Sequence, residues 1–318
     1  MANKMIQQPL YSIVIPHYGM PDLLERCLQS IPQDNNYQVI VVDNKSNVSD
    51  DLLRLVPSLL HNNVTLVNLN DNLWAGHARN VGIEKAIGKW LLFADSDDFF
   101  SDNLDSCLSQ FSNSDADVIY FNVNGCLSDN IKVTTNRNKK FAFDEFRLSG
   151  DERIFRFWYT EPWGKMIRKS LVDEYNIRFD ETPVANDYLF SVKIGYYARN
   201  IEMDNTIIYW YCSRNNSITT SKKDIKKELQ RVFAYARVQE FMQSVGYYTE
   251  PGLTSHILNG LFKHHICTYI KTVFRLRTDF NISIFQSFKD LILHYKMKLK
   301  GTPLVYGDVY HMDFIKKK

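Results

Sequence analysis

Three carboxylates stand within four residues in Asp95-Ser96-Asp97-Asp98. Carboxylates this close repel one another unless a cation lies among them. Hard oxygen ligands favour Mg²⁺ or Mn²⁺, and such ions keep coordination positions open for phosphate oxygens. Alternatively, these aspartates cap the next helix and stay hydrated, since Asp is common at helix starts. The cluster therefore indicates either a divalent-cation site or a helix cap.

Polar residues follow several short apolar runs, and the acidic cluster is one of these groups. It comes directly after the run at residues 90–94. The other groups are Pro16, His17 and Tyr18 after residues 12–15, and Asp43, Asn44, Lys45 and Ser46 after residues 39–42. In an open parallel sheet the ligand crevice lies outside the C-terminal ends of the strands. The pattern therefore predicts a binding site at one edge of a sheet.

Residues 11–122 alternate β-branched runs with stretches of helical spacing, which indicates βαβ units and a largely parallel sheet. The predicted strands are residues 12–15, 39–42, 65–69, 90–94 and 118–122, and the predicted helices are residues 21–31, 50–60 and 75–87. The polar residues 125–150 are predicted to form excursion loops. Residues 151–220 are predicted to complete this first domain, residues 1–221, with mixed α/β structure.

Residues 222–318 are predicted to form a second, mainly helical region, with helices at residues 225–243, 254–274 and 284–299. This region holds 17 basic and 8 acidic side chains, whereas residues 1–221 hold 21 and 28. Such segregation favours an anionic partner for the C-terminal region. Two interpretations stay open: helices packed on the main domain with a solvated basic face, and helices that dock on a membrane surface.

The composition excludes several classes of protein. With 318 residues, 45% hydrophobic and 23% charged, the chain is neither disordered nor fibrous. No apolar run approaches the ~18 residues that span a bilayer, and no signal-like apolar core begins the chain, which predicts a cytoplasmic protein. The five cysteines form no Cys-x-x-Cys pair and are predicted to be free, buried thiols. No Gly-rich dinucleotide or P-loop motif occurs, so the phosphates of a nucleotide must be bound differently.

Taken together, the motifs resemble those of the family-2 glycosyltransferases with the GT-A fold, a Rossmann-like nucleotide-sugar-binding domain. The matching segments, in the family's order and spacing, are residues 12–18, 41–46, 78–83, 86–89, 93–98, 162–165, 186–190 and 214–219. The resemblance covers about residues 10–220. It implies an inverting, metal-dependent transfer from a nucleotide sugar, a UDP-sugar first of all. The first hypothesis for the acceptor is a glycan or lipid-linked molecule of surface or capsular polysaccharide biosynthesis, which the basic C-terminal helices fit.

The resemblance also implies a donor site. Asp43 would accept a hydrogen bond from a pyrimidine base, and Arg79 would lie near the base or the diphosphate, where its planar fork suits anions. Asp97 would bind Mn²⁺ or Mg²⁺, and Asp95 would reach the ribose or support the ion. The other nucleotide-sugar-binding residues are predicted to be Pro16, Tyr18, Asn72 and Ser96. Asp98 is expected to orient the loop or to cap a helix that begins near Asp102.

On the acceptor side, the resemblance implies that Asp187 is the general base that takes the proton of the attacking hydroxyl. The alternative for Asp187 is a cap of the following helix. Trp163 and Lys165 are predicted to bind the acceptor, although a buried structural role is the alternative for Trp163. His256, His264 and His265 offer either a further metal ligand or ordinary packing. A metal site formed by carboxylates alone is the preferred alternative.

The sequence departs from the family's pattern at four positions. Trp74 stands where Gly is frequent, Gly19 and Gly164 where Asn is frequent, and Asn186 where Glu is frequent. Trp74 would narrow the donor pocket or fill a hydrophobic gap. These departures keep open a second hypothesis, a catalytically silent subunit that binds a nucleotide or glycan. A nucleotidyltransferase is a third, disfavoured because no Gly-rich activating loop follows the first strand. Peripheral membrane contact at the inner face is one expectation for the C-terminal helices, and no nucleic-acid partner is expected.

Overall fold

A computed structural model of the protein describes residues 8–214, 224–248, 254–299 and 315–316. The main sheet of this part contains nine strands. They are β1 (Tyr11–His17), β2 (Tyr37–Asp43), β3 (Val64–Asn68), β4 (Trp90–Phe93), β5 (Phe99–Phe100), β6 (Val118–Leu127), β7 (Thr134–Thr135), β8 (Lys165–Arg168) and β9 (Ile201–Ser213). All seven residues of β1 are buried, as expected for a central strand covered on both faces.

The strands lie in the order β3-β2-β1-β4-β8-β6-β9-β5, and β7 pairs with β6. The first four in this order run parallel. β8 is antiparallel to both β4 and β6, and β9 runs parallel to β6. The prediction of an α/β domain with a mostly parallel central sheet is confirmed.

Helices pack on this sheet. They are α1 (Pro21–Gln29), α2 (Leu52–Leu55), α3 (Trp74–Lys85), α4 (Leu104–Gln110), α5 (Lys140–Ser149), α6 (Arg153–Trp158), α7 (Lys169–Glu174) and α8 (Tyr188–Tyr197). The helix predicted at residues 50–60 is reduced to the four residues of α2, with 3₁₀ turns on either side. The reason is Pro57, which disfavours helical geometry at Val56; that residue has φ −127° and ψ 82°.

The prediction of excursion loops at residues 125–150 holds for residues 128–133 and 136–139 and was wrong for the rest of the segment. β6 continues to Leu127, β7 pairs with it, and α5 buries Ala142 and Phe143. The ring of Phe143 meets Phe155 edge-on with centroids 4.9 Å apart. The polar composition of the segment concealed Ala142, Phe143 and Phe146, which lie at helical spacing.

Four helices form most of the described C-terminal region: α9 (Ile225–Ser244), α10 (Ser255–His264), α11 (Ile266–Phe280) and α12 (Ile284–Leu299), with the short strands β10 (Tyr247–Tyr248) and β11 (Ile315–Lys316) paired antiparallel. The single helix predicted at residues 254–274 is broken at His265, which has φ −147° and ψ 59°. Helices α9 to α12 share a hydrophobic core of their own. The domain boundary at residue 221 falls among residues outside the described ranges and stays a prediction.

Besides this C-terminal core, α9 also contacts the main domain. Tyr235 of α9 meets Tyr188 of α8 edge-on at 5.1 Å, and Val238 and Met242 are buried with Tyr188 in one cluster. α9 therefore supports α8, the helix that directly follows Asp187.

In the described ranges, no helix combines the length and apolar character needed to cross a membrane. The free thiols of Cys27, Cys107, Cys126 and Cys212 are buried as predicted, whereas Cys267 is exposed.

Candidate active site

The parallel register brings the polar residues after the strands together. His17 at the end of β1 pairs with Asp43 at the end of β2, and Asp43 pairs with Asn68 of β3. On the other side of β1, Val14 pairs with Phe93, so the acidic loop of residues 95–98 follows at the same edge. The predicted binding edge therefore exists, and it runs from β3 to β4.

Two arginines hold the half-buried carboxylates of the acidic loop, Asp95 and Asp97. Arg79 Nη2 donates to Asp95 Oδ1 at 2.5 Å, and Arg214 Nε donates to Asp97 Oδ2 at 3.0 Å. Arg26 of α1 donates to the carbonyl oxygen of Asp97 at 2.6 Å. The loop is therefore fixed through both its backbone and its side chains.

Asp98 serves a different purpose from its neighbours. Its buried carboxylate accepts hydrogen bonds from Tyr209 Oη at 2.8 Å and from the Cys212 N–H at 2.7 Å. Tyr209 Oη also accepts the Asp95 N–H at 2.8 Å. Asp98 thus orients the loop against β9, and the alternative of a cap is not supported because α4 begins only at Leu104.

The carboxylates of the acidic loop lie close together in a partly buried position. Burial and the nearby Asp95 raise the pKa of Asp97, although Arg214 opposes them. Burial, together with Asp97 and Asp95, raises the pKa of Asp98 well above its usual value. A cation bound here would favour the ionised forms of these carboxyl groups.

The residues present fit a divalent ion. Mg²⁺ and similar ions are commonly held by one or two carboxylates together with substrate phosphates, and Asp97 and Asp95 offer that donor set. Within the described ranges, no three His, Cys, Asp or Glu side chains come together as a metal-binding group. His264 ends α10 and His265 lies in the break after it, both exposed, and the side chain of His256 lies outside the described residues.

Asp43 is fully buried at the donor edge. His17 Nδ1 lies 2.7 Å from its Oδ1, while the N–H of Ser46 donates to its Oδ2 at 3.1 Å and the Ser49 hydroxyl also donates to that oxygen. Burial alone would raise the pKa of Asp43, but the hydrogen bonds of His17, Ser49 and Ser46 outweigh it and lower the pKa. The carboxylate has no exposed surface. Its contact with a pyrimidine base of the donor stays a prediction. Of the two residues predicted beside it, Pro16 is buried in β1, whereas Tyr18 is 54% exposed.

A short hydrogen-bonded loop leads from this edge into α3. Asn44 Nδ2 donates to Asn72 Oδ1 at 2.7 Å, and the Trp74 N–H donates to the same oxygen at 3.2 Å. Trp74 has φ +72°, a left-handed conformation that explains why Gly is frequent at this position in the family. Its side chain is 48% exposed, so it does not fill a hydrophobic gap.

Arg79 connects the donor edge to the start of α8. Besides Asp95, its guanidinium donates to Asn186 Oδ1 at 2.9 Å. Its charged group lies 5.2 Å from the ring centroid of Phe179. Asn186, which replaces the family's frequent Glu, therefore supplies an uncharged acceptor to this arginine. Ser96 is buried within the acidic loop.

Asp187 stands at the first position before α8, but its side chain makes no capping hydrogen bond. Burial raises its pKa to about 6, Arg79 opposes this shift, and the negative charges of Glu161 and Asp95 add to it. Its neighbour Asn186 accepts a hydrogen bond from Arg79, so the backbone at Asp187 lies close to the Arg79–Asp95 pair. The structure thus brings the predicted base and the predicted donor residues together.

Lys165 and Trp163 are both buried and do not lie on the protein surface. Lys165 Nζ is buried and donates to the carbonyl oxygens of Tyr159 at 2.6 Å and Glu161 at 2.5 Å. Burial lowers the pKa of Lys165 to about 7. Trp163 is only 2% exposed and stacks on Tyr209 with ring centroids 5.4 Å apart. The burial of both residues favours a structural role and argues against the predicted contact with the acceptor.

The glycine between these two residues follows from the same packing. Gly164 has φ +69°, and a Cβ at this position would lie 2.0 Å from Tyr159 Oη and 2.7 Å from Val123 Cγ1. The departure from the family's Asn is therefore linked to Tyr159, whose hydroxyl donates to the Phe121 carbonyl at 3.0 Å.

Sequence reasoning missed three charged residues near Asp187. Glu161 forms an ion pair with Lys139 at 2.6 Å, and Arg137 lies 3.8 Å from its other oxygen. Glu161 directly precedes the motif at residues 162–165, which was a signal for it. No sequence signal marked Arg137 or Lys139, because they lie in the segment taken for loops.

A sheet of this topology, with an acidic loop after β4 and Asp187 directly before α8, has the architecture of a GT-A glycosyltransferase. The profile of glycosyl transferase family 2 matches residues 12–175, about half of the chain, and the protein belongs to that family.

Two relatives illustrate the range of the family. The glycosyltransferase GlyG of Streptococcus pneumoniae serotype 4 is 26% identical over 243 residues, 71% of this chain and 78% of GlyG. The poly(ribitol-phosphate) β-N-acetylglucosaminyltransferase TarS of Staphylococcus aureus strain Mu50 is 25% identical over 226 residues, 69% of this chain but 38% of TarS.

Solved structures show the same fold. Residues 1–349 of S. aureus TarS in complex with UDP-GlcNAc align with a TM-score of 0.66 and 17% identity over 97% of both chains. The mannosyltransferase PcManGT of Pyrobaculum calidifontis, in complex with GDP-Man and Mn²⁺, aligns with a TM-score of 0.52 and 12% identity over 93% of this chain and 88% of that one. At such identities the likeness shows the fold alone.

Proposed function

We propose that this protein is an inverting, metal-dependent glycosyltransferase that transfers a sugar from a nucleotide-sugar donor to a hydroxyl of a cell-surface polysaccharide or its lipid-linked precursor. One observation carries the proposal: Asp187, half-buried and with a raised pKa, directly follows Asn186, which accepts a hydrogen bond from Arg79 of the Arg79–Asp95 pair at the donor edge. A base with a pKa near the working pH is effective in proton transfer.

The donor would bind along the edge from β1 to β4. Tyr18 and Trp74 present exposed aromatic side chains there, and aromatic faces stack well on planar bases. UDP is the first nucleotide to test, because a TarS structure of the same fold was crystallised with UDP-GlcNAc. Asp43 with His17 would fix the floor of the base pocket, and Asn72 and Ser96 would line the loops on either side of it.

The diphosphate would lie over the acidic loop. Asp97 and Asp95 would hold Mn²⁺ or Mg²⁺, which when bound neutralises the negative charge that develops on the departing nucleotide. Arg79 and Arg214, which now pair with these carboxylates, would be free to turn towards the phosphates. The PcManGT structure with Mn²⁺ supports a metal in this fold.

Transfer would follow in one displacement. The acceptor oxygen attacks the anomeric carbon opposite the diphosphate, and its proton passes to the carboxylate of Asp187. The bond between that carbon and the diphosphate oxygen breaks, and its electron pair leaves with the nucleoside diphosphate. A single displacement inverts the anomeric configuration.

The acceptor class rests on the relatives. TarS acts on poly(ribitol-phosphate), and another relative is a poly(glycerol phosphate) polymerase of teichoic acid. We infer from these names that a cell-surface polymer is the acceptor class to test here.

The direct test is release of nucleoside diphosphate from a panel of nucleotide sugars with Mn²⁺, together with thermal stabilisation by UDP, GDP, dTDP and CMP. A ligand that binds only the folded state raises the melting temperature by mass action. Turnover that is lost in Asp187→Asn, with nucleotide binding kept, would support the proposal. Nucleotide binding without any turnover in the natural protein would instead identify the silent binding subunit.

A further inference from the structure

The loop that carries Arg137 and Lys139 is pressed against β6. Thr135 of β7 pairs with Gly125, where a Cβ would lie 2.2 Å from Thr135 Oγ1 and 2.9 Å from the Arg137 carbonyl oxygen. The N–H of Lys139 donates to Asn122 Oδ1 at 3.2 Å. The backbone of both basic residues is therefore fixed on the sheet.

Arg137 is held by aromatic contacts and by a long ion pair with Glu161. Its guanidinium lies 4.0 Å from the ring centroid of Tyr211 and 5.8 Å from that of Trp163. Oε1 of Glu161 lies 3.8 Å from Arg137 Nη2, which is beyond hydrogen-bond distance. Within the described residues no acceptor lies within hydrogen-bond range of its side chain, which is 40% exposed. The aromatic contact thus positions the fork and leaves its N–H groups available.

Lys139 stands beside it in a more enclosed position. Its Nζ pairs with Glu161 at 2.6 Å and lies 4.7 Å from the ring centroid of Tyr159, and its side chain is 13% exposed. Arg137, Lys139 and Glu161 together carry one net positive charge. That charge matches the single negative charge of a phosphodiester.

This basic pair lies on the Asp187 side of the site. Lys165 Nζ donates to the Glu161 carbonyl oxygen at 2.5 Å and to Ser191 Oγ of α8 at 3.2 Å. The residue that Arg137 and Lys139 contact is therefore tied to the helix that follows Asp187. The donor-edge arginines differ, since Arg79 and Arg214 are each paired with a carboxylate of the acidic loop. Arg137, which has no carboxylate within hydrogen-bond distance among the described residues, is therefore suited to the second substrate.

We propose that Arg137, assisted by Lys139, binds a phosphate group of the acceptor and so positions the neighbouring hydroxyl at Asp187. The proposal rests on the proposed function and deepens it, because it names the class of acceptor: a molecule with a phosphate close to the accepting hydroxyl. Arginine binds phosphate through two parallel charge-assisted hydrogen bonds, a geometry that neutral glycans do not satisfy.

Binding of defined probes to the full chain tests this proposal. Isothermal titration calorimetry with UDP and Mn²⁺ present would compare poly(glycerol phosphate), farnesyl pyrophosphate and an uncharged dextran of similar size. We expect a phosphate probe to bind and dextran not to bind. The polymer arm and the pyrophosphate arm distinguish a phosphodiester chain from a lipid-linked precursor.

Two variants and a control complete the experiment. Arg137→Gln should weaken binding of the phosphate probe by about tenfold, and Arg137→Lys, which keeps the charge but loses the fork, should weaken it less. UDP affinity should stay unchanged in both. The control is Arg147→Gln on α5, which removes the same charge from a side chain that is 76% exposed and pairs only with Asp144 among the described residues; it should alter neither binding.

Three results would overturn the proposal. If Arg137→Gln weakens UDP as much as the phosphate probe, Arg137 belongs to the donor site. If it leaves probe binding unchanged, the pair plays no part in recognition. If dextran binds as well as the phosphate probes, the acceptor class is wrong. Failure of the proposed function itself has a different signature, because the natural protein would then release no nucleoside diphosphate from nucleotide sugars, whether or not it binds UDP.

Discussion

The carboxylate of Asp187 combines two properties that a general base needs. It lies at the start of α8 without a capping bond to satisfy, and burial raises its pKa to about 6. A group with this pKa is ionised at neutral pH yet binds a proton readily. The remaining requirement, an acceptor hydroxyl within reach, is what the basic pair of Arg137 and Lys139 would supply.

A pH profile tests the role of Asp187. Only the ionised carboxylate accepts a proton, and a raised pKa means that it is protonated below about pH 6. We therefore expect kcat/KM to rise as the pH passes about 6 and to level off above it. Asp187→Asn should lower kcat by at least about 10²-fold.

The matched control is Asp173→Asn on α7, whose half-exposed carboxylate pairs with Lys169. It should keep the activity and the pH profile of the natural protein. Equal loss of nucleotide binding and turnover in Asp187→Asn would show that the base is misassigned.

Trp74 stores strain at the donor edge. A left-handed conformation disfavours any residue with a Cβ by about 1 kcal/mol or more, so Trp74→Gly should raise the free energy of unfolding by up to about 1 kcal/mol. Because the exposed ring is predicted to contact the donor, the same change should weaken nucleotide binding. Chemical denaturation and calorimetry with UDP measure the two effects, and a variant that binds UDP normally would remove Trp74 from the site.

At the scale of elements, the segment from Tyr159 to α8 forms a rigid base for the site. Lys165 Nζ joins two carbonyl oxygens of this segment to Ser191 of α8 at 3.2 Å, and Ser191 Oγ donates to the Thr160 carbonyl at 2.6 Å. The helix that begins at Asp187 is therefore tied to the loop that contains Glu161. Displacement of this loop would shift the base and the basic pair together.

Gly164→Ala should disrupt that segment. The new methyl group would meet Tyr159 Oη and Val123, and alanine would be strained at φ +69°, so we expect a loss of about 2 kcal/mol or more in unfolding free energy. Tyr159→Phe in the same chain removes the hydroxyl and should restore part of the stability. Urea denaturation of the single and double variants measures the coupling, and additive effects would contradict this steric explanation.

The sequence was informative where local patterns decide the structure. The period of strand and helix predicted the parallel half of the sheet and placed residues 95–98 at its edge. The sequence could not reveal that Lys165 points inwards, because a charged side chain is normally exposed. Here the carbonyl oxygens of Tyr159 and Glu161 offset the free-energy cost of its burial. Nor could the sequence place Arg137, whose neighbours Tyr211 and Glu161 are distant in the chain.

At the scale of the whole molecule, α12 presents a surface that the main domain does not cover. Phe285, Phe288 and Ile292 are 79%, 46% and 56% exposed, and Lys296 is exposed on the same helix. An apolar stripe beside basic residues is the pattern of helices that lie on anionic membranes. The proposed membrane contact therefore has a definite surface to test.

Co-sedimentation with vesicles provides the test. We expect binding to vesicles of equal parts phosphatidylglycerol and phosphatidylcholine, weaker binding at high salt, and little binding to phosphatidylcholine alone. Phe285→Ser with Ile292→Ser should reduce binding. The control is Leu148→Ser on α5, which is 80% exposed and far along the chain from α12. Absence of binding at low salt would remove the membrane from the proposed function.

The pairing of Asp95 with Arg79 and of Asp97 with Arg214 has a practical consequence for handling the protein. In the resting state the chain supplies its own counter-ions, so its architecture does not depend on a bound divalent ion. EDTA should therefore leave the melting temperature of the nucleotide-free protein unchanged while abolishing the stabilisation by UDP. A drop in melting temperature on chelation would reveal instead a metal that helps to build the fold.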